Sequence, residues 1–187
     1  MVRWQPNARG RLEQAALELY AERGFDQTTV AEIAGRAGLT ERTFFRYFAD
    51  KREVLFWGQT ALTEVMVTAI AEAPDSASPI EMVGMALVAV GPTFEGRRDR
   101  ARQRQAVIAA TPGLQERELM KLASMAAAMT DALRARGVAE TTARLAAESG
   151  VAVFKIAFER WLGPDAPADL TQNIRDLLDE LTSLSGH

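Results

Sequence analysis

The stretch TTVAEIAGRAGLTERTFFRYFADK, from Thr28 to Lys51, constrains this chain more than any other. Val30, Ile33, Ala34 and Ala37 recur at i, i+3, i+4 and i+7, which is the spacing of one apolar helical face. Thr29 is placed to N-cap that helix, and Glu32 three residues later completes a capping box. Gly38 breaks the pattern, because a tight turn between helices needs a positive φ that glycine adopts without strain. Leu39 is an apolar plug at the turn. Thr40 can then cap a second helix over 41–48, with Phe44 and Phe48 on its inner face. Arg42 and Arg46 fall about half a turn away, flanked by Thr43 and Phe45. One face of this helix suits a core, and the other carries groups that suit nucleic acid.

This is a helix-turn-helix pattern, with residues 41–48 as the recognition helix. Together with the preceding ELYAERGFDQ and the following ADKREVLF, the stretch resembles the DNA-binding domain of the TetR family of bacterial transcription regulators. A first helix ends in a Gly-aromatic pair, Gly24 and Phe25. A Thr-initiated helix, an Ala-Gly turn, a recognition helix rich in aromatic residues and a lysine follow. The resemblance covers about the first third of the chain; beyond it, only length and helical pattern are similar. It implies phosphate contacts at Thr29, Thr43, Tyr47 and Lys51. Base reading is assigned to Glu41, Arg42 and Phe45, with Arg46 suited to either role. Arginine can bond guanine O6 and N7, glutamate can accept from cytosine N4, and an aromatic ring can meet a thymine methyl. Phe45 departs from the Tyr common in the family, which removes a hydroxyl contact.

Composition narrows the alternatives. The chain has no cysteine, so disulfides, thiolate metal sites and cysteine nucleophiles are excluded. Its one histidine is the last residue, His187, which excludes an ordinary Ser-His-Asp triad or multi-His metal site. No paired-carboxylate, Walker or GxGxxG motif appears, so neither an enzyme nor a metal or other cofactor is expected. The N-terminus has no apolar segment of a secretory signal, and no apolar run reaches the roughly 18 residues of a membrane span. The longest, Met82–Gly91, stops at Pro92. A cytoplasmic protein is the expectation. Net charge is −3, yet the first sixty residues hold nine bases against eight acids. DNA binding must then come from the placement of a few charges, not from bulk potential.

Taken in order, residues 1–5 read as an arm, with Arg3 a candidate phosphate or minor-groove contact or simply a solvated side chain. Asn7 caps a first helix that ends at Arg23. Asp50 caps a fourth helix running to Pro74, which would be continuous across both halves and so act as a lever. A helix starting at Ser78 or Pro79 is apolar almost all round and therefore reads as buried. The basic run RRDRARQR, Arg97–Arg104, reads as a solvated, salt-bridged face rather than a DNA patch. Further helices are expected over 114–136, 141–162 and 168–184, and no strand signal appears anywhere. The fold class is all-α with about nine helices. Residues 1–55 form a three-helix helix-turn-helix domain, and residues 56–187 a helical ligand-binding and dimerisation domain.

Two lists follow for the second domain. Ala147, Val151, Phe158 and Trp161, then Ile174, Leu177 and Leu181, lie on stripes that step by four and three, the spacing of a bundle seam. They are the expected homodimer interface, although packing within the chain gives the same spacing. Met82, Met85, Met125, Met129 and Phe154, with Trp57 and Phe94 nearby, could line a space for an apolar or aromatic ligand. A dry methionine-rich core produces the same list. The reading is a sequence-specific DNA-binding transcription regulator, and the resemblance implies a dimeric repressor released from a palindromic operator by a small hydrophobic effector. The alternative is a helical interaction or ligand-carrier protein without specific DNA binding.

Overall fold

The computed structural model describes residues 7–163 and 169–185. Ten α-helices and one 3₁₀ turn, with no strand, make up the described residues. The chain divides into two compact units, Met1–Trp57 with Asp99–Glu118, and Gly58–Arg98 with Leu119–His187. Arg3 lies outside the described residues.

The first unit begins with α1 (Ala8–Arg23), capped by Asn7, whose side chain accepts from the N–H of Gly10. α2 (Val30–Arg36) carries the expected capping box between Thr29 and Glu32. Gly38 has φ 64°, and α3 (Glu41–Tyr47) follows, capped by Thr40. Leu12, Leu19, Ile33, Phe44, Phe48 and Leu55 bury their side chains together. Val107, Ile108 and Leu114 join that core from α7 (Arg98–Ala109) and the start of α8 (Pro112–Ala135). Polar ties reinforce this. Arg104 grips Glu118 with two nitrogens at 3.1 and 2.7 Å and donates to the Leu55 carbonyl at 2.6 Å. Arg117 pairs with Glu53, and both guanidiniums flank the Phe56 ring. The basic run is thus a set of structural ties. Arg100 pairs with Glu13, Arg102 lies near Asp99, and Arg98 bonds the Gly163 carbonyl within the second unit.

The expected fourth helix is not continuous. α4 (Glu53–Phe56) and α5 (Gln59–Glu72) are separated at Trp57 and Gly58, which accounts for ten helices where about nine were expected. Gly58 keeps φ at −71°, but its ψ of −9° departs from the helical value. Residues 53–72 do have the length and mean hydropathy, 1.4, of a membrane span. This corrects the expectation that no apolar stretch reaches that length; Gln59 and Glu64 break the apolar run within it.

In the second unit α6 (Pro79–Val90) is central, packing against α5, α9 (Glu140–Leu162) and α10 (Leu170–Ser185). Ser78 caps α6 through a capping box with Glu81. Gly150 on α9 permits this packing, since a Cβ there would collide with Val83. Arg136 closes the C-terminal end of α5. It donates to the carbonyls of Ile70, Ala71 and Ala73 at 2.8–3.0 Å, where the helix has unpaired acceptors.

Candidate nucleic-acid interface

α3 is a seven-residue helix with one buried side, anchored by Phe44. Its outer side carries Glu41, Arg42, Phe45 and Arg46, all exposed. Phe45 is 56% exposed, with its ring meeting Phe44 edge to face at 5.5 Å. Among the described residues, Glu41 and Arg42 make no hydrogen bond or ion pair, so their charges are available. Arg46 donates to the Tyr47 hydroxyl at 3.2 Å and lies 5.0 Å from that ring's centre. Thr43 is half-buried, its hydroxyl 3.1 Å from that of Thr40.

Two of the expected contacts are engaged within the protein. Thr29 donates its hydroxyl to Glu32 at 2.9 Å, and that carboxylate also accepts the Thr29 N–H and the Arg23 guanidinium. The Thr29 N–H, then its hydroxyl, hold the Glu32 carboxyl below the usual carboxylate range. A negative group therefore already occupies the start of α2. Lys51 is engaged more completely. Its ammonium donates to the carbonyls of Phe25, Asp26 and Thr28 at 2.9, 3.2 and 2.8 Å, and it lies 4.5 Å from the centre of the Phe25 ring. An ammonium has three donors, and all three are in use.

Lys51 is part of a larger brace. Tyr20 on α1 donates its hydroxyl to the Lys51 carbonyl at 2.6 Å, and burial, then the charge of Asp50, pushes its phenol well above the ordinary value. Thr28 bonds back to the carbonyls of Gly24 and Leu19. Arg11 donates to the Ala37 carbonyl, beside the Gly38 turn. These bonds fix α2 and α3 against α1, so the exposed side of α3 is presented by a rigid base.

Comparison with known proteins decides what such a unit belongs to. Residues 13–56 match the family model described as bacterial regulatory proteins, tetR family. Residues 77–185, more than half of the chain, match the MftR C-terminal domain. The chain belongs to the TetR family. As a TetR-family member it is a DNA-binding transcription regulator, and the carrier reading without specific DNA binding is set aside. It is 28% identical over 172 residues to a putative mycofactocin biosynthesis transcriptional regulator, MftR, of Mycobacterium tuberculosis, covering 90% of this chain and 86% of that one. It is 37% identical over 82 residues to the HTH-type transcriptional regulator TcmR of Streptomyces glaucescens, which spans 44% of this chain and 36% of TcmR. Among solved structures it shares its fold with a SmeT–triclosan complex, at TM-score 0.67 and 19% identity over 95% of this chain and 90% of the other. It also shares the fold of the Bacillus subtilis regulator FadR in complex with stearoyl-CoA, at TM-score 0.61 and 22% identity over 92% and 96%.

The second-unit lists change in this TetR-family regulator. Met82, Met125, Met129 and Phe154 are buried, and Phe94 is half-buried. Met85 is 42% exposed, and Trp57 is exposed in the first unit, so neither lines an interior with the other five. Ala147, Trp161 and Ile174 were expected at the dimer interface but are buried within their own chain. The four-three stripes are in large part seams of intrachain packing. Phe158 and Trp161 instead join Phe94 and Phe154 in an aromatic cluster, with ring centres 5.5–6.2 Å apart. Val151, Leu177 and Leu181 stay half-buried. The large apolar side chains left open on α9 and α10 are Leu145, Ile156 and Leu184; Leu184 continues the expected stripe of α10, and Leu145 and Ile156 lie off the expected stripe of α9. Asn173 on α10 is fully buried, and among the described residues neither its amide oxygen nor its nitrogen has a hydrogen-bond partner.

Proposed function

We propose that the outer side of α3 reads base edges in the major groove, with Glu41, Arg42 and Phe45 as the readers. Arg46, Tyr47 and Thr43 contact the flanking phosphates. The observation that carries this is the state of Glu41 and Arg42: two charged side chains with no partner on a braced helix, beside an uncovered Phe45. Lys51 and Thr29 act chiefly by holding α2 and α3 in place, because their polar hydrogens are already engaged. The regulator works by binding and not by catalysis, as a cytoplasmic repressor on a palindromic operator. Two copies pair through α9 and α10, with Leu145 and Ile156 on one helix and Leu177, Leu181 and Leu184 on the other meeting their copies.

The effector in this reading is a small, largely apolar molecule held in the second unit. Its buried methionines and the Phe94–Phe154–Phe158–Trp161 cluster supply adaptable apolar walls. Asn173 supplies a polar handle, since a fully buried amide without a partner is stabilised by any ligand group that bonds it. Triclosan in the SmeT structure is a molecule of this class, and stearoyl-CoA in the FadR structure shares with it only an apolar part, its acyl chain, beside a large anionic coenzyme A; the two set the panel for a test. DNA from the protein's own upstream region, labelled and bound to the regulator, is challenged with long-chain acyl-CoAs and halogenated phenols. Release by a member of either group supports the reading. Retention of the complex with every compound, and no calorimetric binding, refutes the effector class while leaving the DNA reading intact.

A further inference from the structure

Arg9, on the first turn of α1, has no hydrogen bond or ion pair among the described residues. It is nevertheless held in place. Its guanidinium lies 4.0 Å from the centre of the Trp57 ring and 5.5 Å from that of Tyr47. Arg46 approaches the same Tyr47 ring at 5.0 Å. Two guanidiniums therefore flank one phenol, with no carboxylate paired to either one among the described residues. Six other arginines of this unit are paired with carboxylates: Arg23 with Glu32, Arg36 with Glu22, Arg52 with Asp50, Arg100 with Glu13, Arg104 with Glu118 and Arg117 with Glu53. Both like charges approach the same ring, so they repel each other and together favour an anion placed between them. Stacking on Trp57 fixes the plane of Arg9 and reduces the entropy lost when its donors bind.

We propose that Arg9 and Arg46, aligned by Tyr47, form a two-arginine clamp for one phosphodiester of the DNA backbone. The clamp rests on the DNA-binding reading above and adds to it a cation from α1, outside the helix-turn-helix. It supplies the sequence-independent charge that Lys51, engaged by three carbonyls, does not offer. Trp57 acts as a positioning residue, because it touches Arg9 and not the phosphate in this arrangement.

The test is fluorescence anisotropy on a labelled random-sequence duplex, over a series of salt concentrations, with full-length protein. Each neutralised phosphate contributes about 0.9 to the slope of log K against log salt. Arg9→Gln should lower that slope by about 0.9 per protomer and weaken binding roughly eightfold per protomer at about 0.1 M salt. Arg9→Lys should restore most of the slope. Trp57→Leu should keep the slope, since the charge remains, yet weaken binding through looser placement of Arg9. A folded Arg9→Gln variant with the wild-type slope overturns the clamp. So does an Arg9→Lys variant no better than Arg9→Gln. Wild-type protein that fails to bind random duplex at low salt would overturn both the clamp and the DNA reading beneath it.

Discussion

Replacing Lys51 with methionine separates two roles that a lysine in this position can have. As a phosphate contact, its loss would reduce the salt slope and leave the fold alone. As a brace, its loss would lower stability. The geometry favours the brace, with three donated hydrogen bonds between 2.8 and 3.2 Å. A hydrogen bond from a charged donor contributes about 1.5–3 kcal/mol net, and solvent screening reduces that where the partners are exposed. The Phe25 and Thr28 bonds are partly buried and the Asp26 bond is exposed, so the total loss is about 3 kcal/mol. For a chain of this length, about 1 kcal/mol corresponds to about 2–4 °C in Tm. Lys51→Met should therefore lower Tm by about 6–12 °C by differential scanning calorimetry. Its affinity for DNA should fall, while the salt slope stays within about 0.3 of wild type. Lys51→Arg should not rescue it, because a planar fork does not match three carbonyls arranged around a point charge. A Lys51→Met protein with unchanged Tm and a slope reduced by about one would refute the brace and restore the phosphate contact.

Tyr20 gives a pH-dependent outcome. Its folded pKa is raised, so the folded state holds the phenolic proton more tightly. Stability from this source is complete below about pH 10 and declines above it by up to about 1.4 kcal/mol per pH unit. Tyr20→Phe should flatten that alkaline decline relative to wild type in urea melts at pH 9 to 11; parallel curves would refute the assignment. At the proposed pairing face, Ile156→Asp should convert the protein to monomer in sedimentation at micromolar concentration, and a mutant that remains dimeric would place the interface elsewhere. In the second unit, Met125→Trp should abolish release by any effector while leaving operator affinity within about threefold. Full release by the mutant would remove Met125 from the effector's surroundings.

Local features were legible from sequence because their causes are local. The Thr29–Glu32 capping box, the positive φ at Gly38 and the Thr40 cap each depend on residues within three or four positions. The exposed side of α3, with Glu41, Arg42, Phe45 and Arg46, followed from helical spacing alone. Features that depend on distant pairs were not legible. Arg9 and Trp57 carry no mutual signal in the sequence, nor do Lys51 and the Phe25–Thr28 carbonyls. Residues 99–118 join the first unit through Arg104, Glu118, Val107 and Ile108, and a basic run gives no hint of that. Periodicity located the apolar stripes of α9 and α10 but not what covers them, so Ala147, Trp161 and Ile174 proved to face their own chain. Gly58 interrupts a helix that its neighbours' apolar pattern would have continued.

The central claim is that the uncovered side of α3 reads DNA sequence as part of a symmetric pair. The most direct measurement is selection of bound duplexes from a randomised pool, followed by sequencing, for wild type, Glu41→Ala and Arg42→Ala. Wild type should enrich an inverted repeat. Arg42→Ala should lose preference at one guanine in each half-site, at a cost of about 1–3 kcal/mol, and Glu41→Ala should lose preference at one cytosine. Enrichment of no inverted repeat, or an identical motif from all three proteins, would contradict the account.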